Sequence, residues 1–398
     1  MADTPGMAAL HPGELDEAVE VDEGFVVGQT QTAYTDESQL TMASPSRTMG
    51  LLWMIKCTVA RYTLSLSSSV VDYPEEYGRR YHAFRPGTYA FPNDEVELTR
   101  LDMAHALMVR AMGNRLYLAP LERDKVHRIL DIGTGTGILL MIVVFFQGAI
   151  EMGDIFQNAE VIGNDLSAIQ PEWVPSNVKF EIDDVESPWV GHKKFDYIMC
   201  RYMACSIGDW PSLIETIYDH LNPGGWAEFQ DMSTEYYSDD GTYTARHATY
   251  AWNQTFVRTL RAVGRDPCPG PQLEGWVRAH GGFGRVSHHR FKTPIGPWAR
   301  DAHFRGQGML NLAQILEGLE GFSMKLFCGV LGWPEDKVHA HLAAVRHELK
   351  CGAFHAMLDL WMIPLPLFSR GGVVWLIARR RHTVYGQKPP RPDSPADD

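Results

Sequence analysis

The chain is short of several things, and each absence narrows what it can be. Its longest uninterrupted apolar run, Ile138 to Phe146, falls well below the roughly 20 residues needed to span a bilayer. Basic residues are outnumbered, with 36 Lys and Arg against 49 Asp and Glu and a net charge of -13. That deficit argues against a nucleic-acid partner, because phosphate contacts need clustered Lys and Arg. It argues equally against adhesion to an anionic membrane. The one basic run, Arg379-Arg380-Arg381, is too short to alter this. The six cysteines (Cys57, Cys200, Cys205, Cys268, Cys328 and Cys351) form no CxxC pair, so neither a zinc site nor a disulfide frame is indicated. Scattered reduced thiols fit an intracellular protein, cytoplasmic or nuclear. Met1 to Pro5 lacks the basic-then-apolar pattern of a signal peptide. No segment repeats.

What is present suits a globular α/β protein. The 398 residues are 45% hydrophobic, enough to bury a core without staples. Residues 1 to 65 open with an acidic stretch of no hydrophobic period, and 390 to 398 are Pro- and Asp-rich; both are expected to be disordered. Between them five strands are predicted: Arg128 to Ile132, Glu160 to Asp165, Val178 to Ile182, Phe195 to Cys200, and Gly225 to Gln230 behind the turn Asn222-Pro223-Gly224-Gly225. Helical spacing appears at Leu213, Ile214, Ile217, Tyr218 and Leu221, between the fourth and fifth strands. Upstream, Asn93-Asp94 caps a predicted helix running to Met112. Downstream, helices are expected over 244–263, 272–280, 311–331 and 335–349, and a strand over 283–291. Strand-helix alternation implies a mostly parallel sheet covered by helices.

The chemistry centres on Asp131-Ile132-Gly133-Thr134-Gly135-Thr136-Gly137. It follows a predicted strand and opens a helix, so glycine backbone can approach a ligand and free N–H groups can face an anion. The spacing is GxGxG, not the GxGxxG of dinucleotide binders. Asp165 ends the second strand, where a carboxylate can accept both hydroxyls of an adenosine ribose. Asp183-Asp184 ends the third, where an acid can receive an adenine amino group. A glycine loop and two acids at successive strand ends point to an adenosine-containing cofactor.

These runs, with Ile162-Gly163-Asn164-Asp165-Leu166-Ser167 and Leu221-Asn222-Pro223-Gly224-Gly225-Trp226, resemble the class I S-adenosylmethionine-dependent methyltransferases of filamentous fungi, and among them the LaeA-like family. Tyr77-Gly78-Arg79-Arg80-Tyr81-His82, Pro92-Asn93-Asp94, Arg100-Leu101-Asp102 and Val384-Tyr385-Gly386-Gln387-Lys388-Pro389 extend the resemblance over about residues 65 to 389. It implies one methyltransferase domain over 66–389, with a core over 126–232 and a late helical substrate cap over 233–389. It also implies a Rossmann-like seven-stranded sheet whose last strand is antiparallel and holds Val384 and Tyr385. The segment from Tyr77 to His82 would belong to a helical lid, with Arg80 and Tyr81 near S-adenosyl-L-methionine. The implied cofactor residues are Asp131, Gly133, Thr134, Gly135, Gly137, Asp165, Leu166, Asp183, Asp184, Arg201 and Tyr81. The implied partner is a small-molecule fungal secondary metabolite, with regulatory protein partners as the alternative.

Three segments depart from the family pattern: Leu51 to Val59, Leu139 to Gly148, and Met362 to Arg381. Each is apolar without an evident partner, and removing them restores the pattern, as retained introns would produce. A methyl group on a sulfonium is already activated, so transfer needs alignment and exclusion of water more than acid-base residues. No base stands out among the sixteen histidines, which include His82, His105, His247 and His303. Arg201 and Tyr202 follow the fourth strand, where such enzymes often meet substrate. Trp252, Phe256, Trp276, Trp298 and Phe304 are candidates for an apolar pocket. A nicotinamide-dependent oxidoreductase is disfavoured by the GxGxG spacing and the Pro223-Gly224-Gly225 turn. A silent relative, disabled by the insertion after Gly137, is the remaining alternative.

Overall fold

The structure, a computed structural model, describes residues 18–22, 57–59, 71–136, 148–171, 173–189, 191, 194–284, 286–363 and 384–387. Gly137, 139–147, 364–381, nearly all of 1–65, and 390–398 lie outside them. The chain begins with β1 (Cys57–Val59), β2 (Glu75–Glu76), β3 (Arg79–Arg80) and α1 (Glu95–Ala111). Then come β4 (Arg128–Ile132), α2 (Gly148–Ile155), β5 (Glu160–Asp165), β6 (Trp173–Pro175), β7 (Val178–Ile182) and β8 (Phe195–Arg201). They are followed by α3 (Trp210–Asp219), β9 (Leu221–Tyr237), α4 (Ala248–Ala262), α5 (Gly270–His280) and β10 (Val286–Pro294). The rest is α6 (Ala302–Met324), α7 (Glu335–Cys351), β11 (Met357–Ile363) and β12 (Val384–Gln387).

The main sheet has the order β11-β10-β12-β9-β8-β4-β5-β7. The strands β7, β5, β4, β8 and β9 are parallel, and β12 lies antiparallel between β9 and β10. Apolar runs make this possible: β4 is buried along four of its five residues and β5 along four of six. The predicted strands at 128–132, 160–165 and 178–182 coincide with β4, β5 and β7. Strand β9 is longer than predicted. It starts at Leu221, and a register shift against β8 absorbs the Asn222-Pro223-Gly224-Gly225 turn.

Although eight segments build the sheet, they fill seven positions, because β11 and β12 share one. Adjacent residues of β10, Ser287 and His288, face Tyr385 and Ile363, which are 22 apart in the chain where a continuous strand would have them one apart. Strand β9 shows the same offset: Phe229 faces Val384 and Asp231 faces Trp361. Ile363 and Val384 thus compete for a single place, and the chain between them is inserted into one strand of the expected fold. Removing residues 364–384 is expected to leave the fold intact and to raise stability, by up to about 3 kcal/mol of loop-closure entropy, as a higher thermal midpoint would show.

Two features correct the expected architecture. The segment from Tyr77 to His82 is not helical. Strands β2 and β3 form a hairpin whose turn residues, Tyr77 (φ 53) and Gly78 (φ 70), both lie in the left-handed region that a two-residue hairpin turn needs. Apolar Leu51 to Val59 also finds a partner in part, since β1 pairs antiparallel with β6.

The sheet's two faces carry separate cores. One packs Ile198, Trp210, Ile214, Ile217 and Val277 around α3 and α5, and the other Val109, Met152, Phe156, Val161 and Phe180 around α2. A third core, beyond the end of β9, joins α4, α6 and α7 through Trp252, Leu260, Leu319 and Leu342. Trp276 stacks on Trp210 and Trp298 is buried beside Val19, so both serve packing.

Glu228, fully buried on β9, ties the chain before β4 to the sheet. Its carboxylate accepts from Leu118 N (2.9 Å), Ala119 N (2.8 Å), the Tyr197 hydroxyl (3.1 Å) and Gln230 Nε2 (2.7 Å). Burial raises its pKa against those donors. The native state therefore holds this proton to higher pH than the unfolded chain does. The resulting stabilisation is fully present below the ordinary carboxyl pKa and is lost as pH rises from there through the raised native value. Glu228→Gln is expected to cost about 1–3 kcal/mol in acid, with a gap that shifts in the variant's favour as pH rises, in urea unfolding between pH 4 and 7.

Candidate functional site

Strand order reverses at β4, since β5 and β7 lie on one side and β8 and β9 on the other. Open α/β sheets bind ligands at this point, beyond the carboxyl ends of the strands. A cavity of about 870 Å³ opens there. It is lined by Gly133 and Gly135 after β4, Asn164 to Ser167 at the end of β5, Asp183 and Asp184 after β7, and Tyr202 and Met203 after β8.

The glycine loop fits a close approach of ligand to backbone. Gly133 (φ 66) and Gly135 (φ 61) are left-handed, and a Cβ at Gly133 would overlap the Met203 sulfur. Asp165 holds the loop from below: its carboxylate accepts from Gly135 N (2.8 Å) and Ser167 N (3.1 Å). Burial raises the Asp165 pKa, opposed by those backbone donors. Neighbouring Asn164 has a buried Oδ1 with no hydrogen-bond partner among the described residues, and it lines the cavity. An unsatisfied acceptor there suits a ligand that donates hydrogen bonds. Asp183 and Asp184 flank a wall of Leu166, Ile169, Val185 and Ile207, a slot with apolar sides and an acidic end.

Six of the expected cofactor residues therefore line one cavity: Gly133, Gly135, Asp165, Leu166, Asp183 and Asp184. Asp131 and Thr134 support it from behind. The Thr134 hydroxyl donates to Asp131 (2.9 Å), and Thr134 N donates to Asn164 O (2.9 Å). Arg201 does not line the cavity. Its Nη1 is buried without a hydrogen-bond partner among the described residues, and its charge acts on Asp131 and on His105, whose pKa burial and Arg201 together hold well below the usual value. Tyr81 is not there either. It is wholly buried, its ring 4.2 Å from Lys325 Nζ. Gly137 lies outside the described residues.

Sequence reasoning missed the roof. Thr88, Tyr89, Pro92, Asn93 and Leu101 also line the cavity. The hairpin is stapled to this segment: Arg79 grips Asp94 at 2.5 and 2.7 Å, and Arg80 donates to Asn93. Asn93 donates to Ser167 (3.2 Å), and Arg85 reaches Asp184 at 2.9 Å. The signal was present in the Pro92-Asn93-Asp94 run, but only the fold shows that it faces β5.

The loop after β8 is held under strain. Tyr202 (φ 60) and Cys205 (φ 71) are non-glycine residues in the left-handed region. Asp231 fixes them by accepting from Met203 N (2.8 Å) and Ala204 N (3.1 Å), and burial pushes its carboxyl up to about 7. Strain of this kind collects at ligand sites, where the surrounding structure over-determines the backbone.

A methyltransferase-domain profile matches residues 103–281. The methyltransferase pytC of Aspergillus terreus is 44% identical over 300 residues, 75% of this chain and 89% of that protein. The secondary metabolism regulator laeA of Monascus pilosus is 33% identical over 307 residues, 75% of this chain and 80% of that one. Haemonchus contortus phosphoethanolamine N-methyltransferase 2, solved with S-adenosyl-L-methionine, aligns over 72% of this chain and 62% of its own, at 16% identity and a TM-score of 0.40. No helix among the described residues is long and apolar enough to cross a membrane. The chain belongs to the fungal class I, S-adenosylmethionine-dependent methyltransferase family that includes pytC and the laeA-type regulators.

Proposed function

We propose that the chain methylates a small-molecule fungal secondary metabolite, with its cofactor in the cavity at the carboxyl end of β4. The observation that carries this reading is the convergence on one cavity of two left-handed glycines, Asp165, the Asp183-Asp184 pair and the Asn164 Oδ1, which has no partner among the described residues. The bound cofactor supplies a methyl group on a sulfonium, already activated for displacement. Asp165 would accept the ribose hydroxyls and Asp183 or Asp184 the adenine amino group. Leu166 and Val185 would pack on the adenine, and the backbone at Gly133 and Gly135 would face the amino-acid end. Asp131, Thr134 and Arg201 would act as positioning residues behind the loop. The hairpin and the 84–93 segment would exclude water, which strengthens every polar contact inside.

Pairing with pytC at 44% identity favours the enzyme. The 33% identity to laeA-type regulators favours a second reading, a regulator acting in a nuclear protein complex. Calorimetric titration of the purified chain with S-adenosylhomocysteine tests the shared premise. Micromolar binding is expected, and its absence in a folded chain would remove the cofactor site.

A further inference from the structure

We propose that a second cavity, against the first, holds the methyl acceptor, and that it selects a flat, largely apolar molecule whose reacting group is an acidic hydroxyl, a phenol or enol, bound in its ionised form. The proposal rests on reading the first cavity as the cofactor site. The second cavity, of about 590 Å³, shares Tyr89 and Tyr202 with the first, so its contents lie beside the place where the methyl group would be.

Its walls choose shape. Phe91, Trp252, Phe256 and Phe322 surround it, with Phe91 stacked on Phe256 at 6.1 Å and Trp252 on Phe256 at 5.7 Å. Flat rings bury area well against such faces. Its polar end chooses chemistry. Arg100, nearly fully buried, gives Nε and Nη2 to Glu97 at 2.9 and 2.7 Å, so its charge is already neutralised. Its Nη1 donates to Gln314 Oε1 (3.2 Å) and reaches the Tyr202 hydroxyl (3.5 Å). With its oxygen accepting from Arg100, the Tyr202 hydroxyl keeps its own hydrogen to donate, and Tyr202 lines both cavities.

What the lining lacks decides the class. Among the described residues it includes no carboxylate and no imidazole, and burial raises the Cys205 thiol well above its usual range. An acceptor hydroxyl therefore finds no base in the cavity and must shed its proton in bulk water before binding. Electron-poor phenols and enols conjugated to a carbonyl do so near neutrality, whereas simple phenols and aliphatic alcohols do not. An ammonium acceptor would meet Arg100 with no anion among the described lining residues to receive it, and a carboxylate would set a compact charge against a cation that Glu97 already neutralises. A delocalised phenolate or enolate loses less solvation and keeps two donors, Arg100 and Tyr202. In the transfer, the acceptor oxygen forms a bond to the methyl carbon as the carbon–sulfur bond breaks. The bonding pair stays on sulfur, and the acceptor's proton has already been left in water. The strain at Tyr202 and Cys205, held by Asp231, sets these donors before the acceptor arrives.

The test uses the full chain saturated with S-adenosylhomocysteine and para-nitrophenol as the probe, whose ionised form absorbs visible light. Its absorbance is followed over pH with and without protein. Bound nitrophenol is expected to be about tenfold more acidic than free, a gain that Tyr202→Phe cuts severalfold. Ala204→Leu, which fills only the second cavity, is expected to abolish nitrophenol binding while S-adenosylhomocysteine affinity stays within about twofold. Nitrophenol that fails to bind the saturated chain, binds with unchanged or weaker acidity, or binds the Ala204→Leu chain equally well overturns the proposal and leaves the cofactor reading standing. A folded chain that binds no S-adenosylhomocysteine overturns both.

Discussion

Asp165→Ala is expected to weaken S-adenosylhomocysteine binding by about 100-fold or more. Each hydrogen bond from a ribose hydroxyl to a carboxylate is worth about 1.5–3 kcal/mol, and two of them account for that factor. The loss has a second source. The same carboxylate accepts from Gly135 N and Ser167 N, so truncation also frees the loop that would cradle the cofactor. Asp165→Asn separates the two. One amide oxygen can still receive a backbone N–H and a hydroxyl, so the asparagine chain should bind more tightly than the alanine chain. Calorimetry with both variants, beside a circular dichroism control for folding, reads the difference. Affinity unchanged in Asp165→Ala would place the ribose elsewhere.

The largest expected loss of stability comes from Glu97→Ala. Glu97 and Arg100 lie one turn apart on α1, 1% and 2% exposed, and their pairing is bidentate. Burial alone would lower the Arg100 pKa, but the Glu97 carboxylate raises it above its usual value. Removing the acid leaves a guanidinium buried among Tyr202, Phe322 and Gln314 with no counter-charge. Breaking such a pair from one side costs about 3–5 kcal/mol, and the urea midpoint should fall accordingly. Replacing both partners together by apolar residues should cost less, since no bare charge remains. A small loss in the single variant would mean that water reaches Arg100.

The parallel half of this fold could be read from the sequence because it is written in local signals. Arg128 to Ile132, Glu160 to Asp165 and Val178 to Ile182 are short apolar runs with polar ends, and each is a strand with the predicted limits. The glycine loop and the acids ending β5 and β7 came with them, because a site at strand ends inherits its geometry from the strands. The roof did not, and neither did the second cavity. Thr88, Tyr89 and Asn93 reach the site through contacts spanning some seventy residues or more, such as Asn93 to Ser167, that no local pattern records. The hairpin at Tyr77 looked helical from the resemblance, yet its turn depends on two left-handed residues. Arg201 was misplaced for another reason. The strand runs one residue further than the sequence indicated, so Arg201 belongs to β8 itself, and its charge acts on Asp131 and His105 behind the loop.

The split seventh strand also bears on the order in which the molecule can be completed during synthesis. Val384 to Gln387 occupy an interior place, between Trp226 to Phe229 of β9 and Val286 to Ser287 of β10. Until they emerge, both neighbours present bare backbone donors and acceptors at the middle of the sheet, although β11 has already closed the other half. Exposed edges of this kind recruit strands from other chains. A polypeptide that stops before residue 384 would keep every group of the cofactor cavity and still carry an open seam, so its failure would show as aggregation before it showed as lost affinity.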